Sequence, residues 1–176
     1  QETSNSVTGI SPFIVATGGT ESTSGNFKIH TFTGPGTFTV SGIGGTVANN
    51  VVSYMVVAAG GGGGASYGGG GGAGGFREYK SPVDSYTASP LNGNPGGTEI
   101  TVTAQGYPIT VGAGGASRPG SPTQVGAPGS NSIFSTVTSA GGGGGGGTGS
   151  PLAGLPGGSG GGAGRDETTN NGSGNT

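Results

Sequence analysis

Two segments of this chain carry the spacing of a serine nucleophile, and neither has the surroundings that the chemistry needs. Residues 64–68 and 157–161 both fit the pattern Gly-x-Ser-x-Gly. In a hydrolase of this type a helix follows the serine, and a histidine later in the chain acts as the base. Here more glycine follows each serine, and the only histidine, His30, comes earlier. The sequence therefore does not indicate an enzyme.

The glycines also match a nucleotide-binding motif without the structure that such a site requires. The apolar residues 56–59 lead into residues 60–65, where five glycines and one alanine fit the dinucleotide pattern Gly-x-Gly-x-x-Gly/Ala, a match that glycine-rich sequence produces by chance. A dinucleotide site needs a helix whose N-terminus faces the pyrophosphate, and glycine disfavours a helix over residues 61–75. Neither Gly-Lys-Ser nor Gly-Lys-Thr occurs in the chain. We therefore expect no cofactor.

The ionisable residues are too few and too scattered for a metal or nucleic-acid site. Cysteine is absent, and His30 lies between Ile29 and Thr31 in a strand-like segment. Five basic residues stand against seven acidic ones, which gives no positive footprint for a phosphate backbone. The longest apolar stretch, residues 54–59, is far shorter than a bilayer span. We expect no metal ligand set, no nucleic-acid partner and no membrane insertion.

The side chains left to make selective contacts are aromatic and cationic. Tyrosine and arginine are enriched where protein interfaces make contact, and aromatic rings suit the apolar faces of sugars. The alternative is that these side chains merely cover glycine-rich structure, because only 6% of the residues are aromatic. The candidate residues for receptor or partner binding are Tyr67, Phe76, Arg77, Tyr79, Lys80, Tyr86 and Arg118.

The elements that must position these residues are built largely from glycine. Glycine runs occupy residues 60–64, 68–72 and 141–147, and strand-like segments at 51–59 and 135–140 lead directly into two of them. A flexible linker alternates glycine with serine and has no such lead-in. Glycine can adopt an extended left-handed helix with three residues per turn, and without Cβ atoms such helices can pack closely. The sequence predicts a stack of these helices, called polyglycine II.

Such a stack requires strong main-chain interactions. Each glycine in a regular segment costs about 0.5–1 kcal/mol more backbone entropy than alanine, and the chain contains 48 glycines. Hydrogen bonds between neighbouring helices, supported by Cα–H···O contacts, can offset that cost. A disordered chain is the alternative, because glycine and proline make up about a third of the sequence. The net charge of only −2 and the clustering of apolar residues favour a folded domain.

Strands are predicted before and between the glycine segments. Residues 27–33, 37–40 and 51–58 read as a short β-meander with glycine-rich turns. Further strand-like pieces alternate with glycine, at residues 100–103, 107–111 and 133–137. Helix is disfavoured almost everywhere. The predicted fold is mainly β plus polyglycine II, a short β-meander followed by a stack of polyglycine II helices, with essentially no α-helix.

Loops are expected where the composition changes between these units. The segments 76–97, 116–132 and 148–156 hold most of the chain's charged residues and prolines outside the ends. If the glycine helices reverse direction at each end of a stack, such loops collect at its tips. A rigid scaffold can then present variable chemistry there.

Several motifs resemble the glycine-rich domain of bacteriophage tail proteins. The resemblance rests on residues 16–20, 27–32, 36–40, 54–60 and 111–115, and it covers about residues 16–165. In composition the chain is similar to the tail-fibre-tip adhesins of T-even-like phages. That resemblance implies a domain of packed polyglycine II helices that displays host-recognition loops at its far end.

The expected organisation follows from these patterns and from the resemblance. Residues 1–15 are expected to form a linker or attachment segment, 16–165 the glycine-rich domain, and 166–176 a flexible tail or a link to further chain. We expect a virion or extracellular adhesin that binds a host receptor, protein or glycan, or neighbouring subunits of an oligomeric assembly. A purely architectural decoration, fibre or filament protein is the main alternative. A more distant one is an ice-binding protein with a flat glycine-rich face.

Overall fold

The computed structural model describes residues 11–94, 96–118, 124–148, 153–165 and 171–174. These residues form short antiparallel strands and extended glycine-rich segments. One 3-10 helix, Val47–Asn50, is present, and no α-helix occurs in the described ranges. The prediction of a mainly β chain with essentially no α-helix is confirmed.

Nine strands are distributed along the whole described chain rather than gathered at its start. Each is short, because glycine, proline or a polar turn soon interrupts the β-branched and aromatic residues that favour strand. The strands are β1 (Val15–Thr17), β2 (Thr20–Ser24), β3 (Phe27–Thr31), β4 (Gly36–Gly42), β5 (Tyr54–Val57), β6 (Phe76–Tyr79), β7 (Gly106–Thr110), β8 (Ser132–Phe134) and β9 (Val137–Ser139).

The main sheet combines strands that are far apart in sequence. Its order is β1-β4-β7-β8-β9, and all its neighbours are antiparallel. The hairpin β2-β3 and the ribbon β5-β6 form separate two-stranded sheets. The N-terminal strands thus differ from a self-contained meander. β4 pairs with β7 over residues 36–39, and its residues Phe38 and Val40 are buried.

A small aromatic core lies beneath this sheet. Phe38, Tyr107 and Phe134 are buried, and their ring centroids lie 6.1–6.5 Å apart. Tyr54 of the β5-β6 ribbon meets Phe134 edge-on at 5.7 Å. Edge-on and tilted pairs at this separation are favourable arrangements for aromatic rings. The core therefore joins the ribbon to the main sheet.

Six extended runs accompany the strands, and five of them adjoin a strand. We number them run 1 to run 6 in chain order. β5 leads into run 1 and run 2 leads into β6. In the same way β7 leads into run 3, run 4 leads into β8, and β9 leads into run 5. The runs comprise residues 58–65, 68–75, 112–118, 124–131, 140–147 and 159–164.

Hydrogen bonds between the runs repeat every three residues. The N–H groups of Ala58, Gly61 and Gly64 in run 1 donate to carbonyl oxygens of run 2 at 2.9–3.0 Å. The N–H group of the residue that follows each of these three donates instead to a carbonyl oxygen of run 4, at 2.8–3.4 Å. None of the described glycines in the runs has the positive φ seen at Gly18 and Gly19. In a polyglycine II helix there are three residues per turn, so successive N–H groups point to different neighbouring helices, as they do here.

Run 5 lies at the centre of this lattice. Hydrogen bonds connect it to runs 1, 2, 4 and 6 and to the segment 153–158 that precedes run 6. All seven of its consecutive glycines, residues 141–147, are buried. A Cβ atom added at Gly142, Gly143, Gly144 or Gly145 would lie closer than 3.0 Å to a neighbouring carbonyl oxygen. Only glycine allows five neighbours to approach this closely.

Peripheral runs need glycine only on the side that faces the lattice. In run 4 a Cβ atom would clash with neighbouring backbone at Gly126 and Gly129, three residues apart. The positions between them are Ala127 and Pro128. Run 3 follows the same rule, with close contacts at Gly112 and Gly115 and open space near Gly114. The glycine period therefore reflects how many neighbours a run has.

Three local expectations differ from the structure. Residues 124–131, within the expected loop 116–132, form run 4, because glycine every third residue suffices at the lattice edge. Residues 133–137 do not form one strand, since Ser135 takes a positive φ of 53° and turns β8 back into β9. The segment 100–103 contributes a single bridge, from Thr101 to Val51.

Candidate functional site

The predicted binding residues lie at two opposite ends of the lattice. Run 1 carries the chain away from the β5-β6 ribbon, and run 2 brings it back. At about 3.1 Å per residue, the eight residues of a run span about 25 Å. Tyr67 and Arg118 lie at the far end, which we call the tip. Phe76, Arg77, Tyr79, Lys80 and Tyr86 lie at the ribbon end.

The tip is held together by main-chain hydrogen bonds. Arg118 N–H donates to the Gly63 carbonyl at 3.2 Å, and Ala65 N–H donates to the Gln124 carbonyl at 3.1 Å. Arg165 N–H donates to the Tyr67 carbonyl at 3.0 Å. These bonds bring the far ends of runs 1, 3, 4 and 6 to one place. The residues 119–123, 149–152 and 166–170 lie outside the described ranges.

Tyr67 is the most exposed of the predicted aromatic residues. Its side chain is 69% exposed, in the reversal between runs 1 and 2. The guanidinium carbon of Arg165 lies 5.1 Å from the centroid of its ring, which is a cation–π arrangement. Arg118 is exposed as well. The tip can therefore offer an aromatic face and positive charge to a ligand.

At the ribbon end, three of the predicted residues belong to a strand rather than to a loop. Phe76, Arg77 and Tyr79 are part of β6 and are all half-buried. Arg77 donates from Nη1 to the Phe76 carbonyl at 2.9 Å. The Tyr79 ring stacks on Tyr54 with centroids 6.3 Å apart, and its hydroxyl donates to Glu99 at 2.8 Å. These side chains therefore have structural partners within the domain.

The last two predicted residues pack on each other beside the β2-β3 hairpin. Lys80 Nζ lies 5.7 Å from the centroid of the Tyr86 ring. The same ring meets Phe27 edge-on at 6.1 Å, which attaches the hairpin to the segment 80–97. Burial raises the pKa of the Tyr86 hydroxyl above its usual value. Tyr86 is thus a neutral packing residue as well as a candidate contact.

Two further features concern metal clusters and membrane spans. The described residues contain no group of three or more His, Cys, Asp or Glu side chains that is arranged to hold a metal ion. In the same ranges, no helix has the length and apolar character required to cross a membrane.

Comparison with known families bears directly on this architecture. A family model described as a glycine-rich domain matches residues 33–176. The chain belongs to this glycine-rich domain family. Neither the curated proteins nor the solved structures contain a match.

The tip of this glycine-rich domain includes a residue that the sequence interpretation missed. Arg165 is the last residue of the predicted domain, and the sequence gives it no binding role. In the structure its guanidinium covers the Tyr67 ring. The two residues are almost a hundred positions apart in the sequence, and no local pattern connects them. The sequence signal that could connect them is the glycine repeat. Glycine runs of similar length that reverse direction place their ends side by side.

Proposed function

We propose that this glycine-rich domain is a host-recognition adhesin of a phage tail fibre or of a similar virion-surface appendage, and that it is not an enzyme. The observation that carries the proposal is the gathering of run ends at one tip with Tyr67, Arg118 and Arg165. The resemblance of the strand motifs to phage tail proteins supports it. The partner is a host receptor, either a protein or a glycan.

The lattice suits this role because it separates stability from recognition. Arg118, the last residue of run 3, is the one ionisable side chain in the runs, so packing inside the lattice places no demand on the charges displayed at the tip. Backbone hydrogen bonds fix the reversals, and the residues within the reversals are free to vary. Aromatic and cationic side chains at such positions are the usual sources of binding energy.

The test compares the two ends of the domain on the intact particle. We expect the double variant Tyr67→Ala with Arg118→Ala to abolish attachment to the host while the circular dichroism and melting temperature of the domain stay unchanged. Both residues are exposed, so we expect the double variant to fold like the parent chain. The matched variant at the ribbon end is Tyr86→Ala, which should attach normally. Normal attachment by the tip variant would refute recognition at the tip.

One observation favours the architectural alternative. Four apolar side chains are exposed around the start of the main sheet, and exposed apolar residues that cluster mark protein contacts. Asn49 Nδ2 donates to the Pro12 carbonyl at 2.7 Å, which brings the surrounding segments together. The four are Phe13 at 68%, Val15 at 48%, Ile43 at 49% and Val47 at 75% exposure.

A contact role for these four exposed apolar residues can be tested separately from recognition at the tip. If the domain is an architectural subunit, Phe13→Ser with Val47→Ser should prevent its incorporation into the particle, while the tip variant has no effect. If it is an adhesin, the tip variant should be incorporated and fail to attach. Loss of attachment without loss of incorporation distinguishes the two functions.

A further inference from the structure

The segment 80–97 encloses a group of oxygen atoms at the edge of the ribbon. Ser53 precedes β5, and its hydroxyl donates to the Asp84 carboxylate. The Ser81 N–H donates to the same hydroxyl oxygen at 2.8 Å. The Asp84 N–H in turn donates to the Ser81 carbonyl at 3.1 Å. Ser53, Ser81 and Asp84 therefore form a closed circuit of contacts.

Ser81 leaves a polar atom unpaired inside this circuit. The residue is fully buried, and its Oγ has no hydrogen-bond partner. Both main-chain groups of Ser81 are engaged in the circuit, so its short side chain is held within a few ångströms of Ser53 and Asp84. Buried hydroxyl groups are nearly always paired, and an unpaired one calls for an additional ligand or an ordered water.

A second carboxylate, that of Glu78, belongs to β6, the strand that leads into this segment. Glu78 is only 6% exposed, and its oxygens accept from the Ser89 N–H at 3.2 Å and from the Ser89 hydroxyl. Glu21, by contrast, pairs with Lys28 on the β2-β3 hairpin at 2.7 Å. Lys80 Nζ lies 5.7 Å from the centroid of the Tyr86 ring, and the charges of both Glu78 and Asp84 act on the Tyr86 hydroxyl. Negative charge therefore accumulates beneath the segment.

We propose that Asp84, Ser81 and Ser53 bind a hard divalent cation of the calcium type beneath the segment 80–97, with Glu78 supplying further negative charge. Calcium prefers carboxylate, hydroxyl and carbonyl oxygens and tolerates irregular geometry. Two carboxylates and neutral oxygens correspond to a weak site, with a dissociation constant on the order of 10⁻⁴–10⁻³ M, as in extracellular modules. The cation pins the segment to the β5-β6 ribbon, a role that goes beyond the proposed function and does not depend on it.

Calcium titration of the purified chain tests this site. We expect the melting temperature to rise with calcium concentration, and isothermal titration to give one saturable site. Asp84→Asn should weaken binding by at least about tenfold, because even outer-shell partners of a metal contribute that much. Absence of saturable binding up to 10 times the expected dissociation constant, on the order of 10⁻² M, would overturn the proposal.

Ser81→Ala separates a metal ligand from a merely structural serine. Its hydroxyl has no partner, so the variant should be as stable as the parent chain without calcium. It should nevertheless lose most of the calcium-dependent rise in melting temperature. Full retention of that rise would show that the hydroxyl holds only water.

Two control variants locate the site. Lys80→Met removes positive charge next to Tyr86 and should strengthen calcium binding, whereas a site elsewhere would not respond. Glu21→Gln changes an exposed carboxylate that already pairs with Lys28 at 2.7 Å, so binding should stay unchanged. Weaker binding in the Glu21 variant would place the cation on the β2-β3 hairpin and refute the assignment.

Discussion

The aromatic core and the glycine lattice hold this domain together by different means. In the core, Phe38, Tyr107 and Phe134 fill space with side chains, and the backbone only positions them. In the lattice the backbone is itself the packed material, and side chains are excluded at the centre. The core depends on apolar surface removed from water, whereas the lattice depends on hydrogen bonds.

This difference determines what each region tolerates. A core of side chains can adjust, because neighbouring rotamers shift when one side chain changes size. A lattice of backbones cannot adjust in this way, since carbonyl oxygens and N–H groups are fixed by the neighbouring runs. The lattice should therefore be far more sensitive to one added methyl group, and the core to a removed ring.

The largest effect is expected at the centre of the lattice. Gly144→Ala would place a Cβ atom closer than 3.0 Å to the Gly126 carbonyl, and five neighbours prevent run 5 from moving away. We expect a loss of more than about 3 kcal/mol, above the usual range for overpacking, measured by urea unfolding. Gly70→Ala is the control, because no atom lies within 4 Å of its added Cβ. Equal stability of the two variants would contradict a packed backbone lattice.

A loss of similar size is expected in the aromatic core. Phe134→Ala removes a ring that contacts Phe38, Tyr54 and Tyr107 and should cost about 3–5 kcal/mol. Phe134→Leu should recover much of this, because leucine fills part of the space. A Leu variant as unstable as the Ala variant would mean that ring geometry matters more than volume.

At the edge of the lattice the loss of stability should be smaller than in either of these places. Gly115→Ala brings its Cβ closer than 3.0 Å to the Ala127 carbonyl, but run 3 is bonded only to runs 1 and 4 among the described runs and can shift outward. We expect a loss of about 1–3 kcal/mol in the same unfolding assay. Gly114→Ala, with its nearest atom at 4.0 Å, should be neutral. A larger loss at position 115 than at 144 would reverse the assignment of centre and edge.

The smallest effect separates the two regions by pH. Burial raises the pKa of Tyr54 above its ordinary value of 10.0, whereas the runs of the lattice contain no tyrosine. A folded-state pKa above the unfolded one gives stability that is present below pH 10.0 and is lost as the pH rises above it. Tyr54→Phe should therefore flatten the alkaline fall in melting temperature. An unchanged alkaline profile would mean that Tyr54 ionises equally in the folded and unfolded chain.

The sequence identifies the lattice centre better than its edges. Seven consecutive glycines at 141–147 have no other use in an ordered domain, and run 5 occupies that segment. Run 4 was missed because two of every three positions carry side chains there. A search for glycine every third residue, rather than for glycine runs, would have found it.

The placement of the candidate site was only partly predictable. Composition singled out Tyr67 and Phe76 together, because they are nine positions apart. In the folded domain run 2 separates them by its whole length, since extended chain advances about 3.1 Å per residue. Which ends meet depends on the direction of each run, and that follows from hydrogen bonds between segments distant in sequence.

The three-residue period of the hydrogen-bond ladder restricts how this domain can change in evolution. An insertion of one or two residues within a run would turn every later N–H group toward the wrong neighbour. An insertion of three residues restores each donor to its partner and lengthens the run by about 9 Å. At the gene level, lattice segments should therefore gain or lose DNA in multiples of nine nucleotides, while the tip reversals accept any in-frame change.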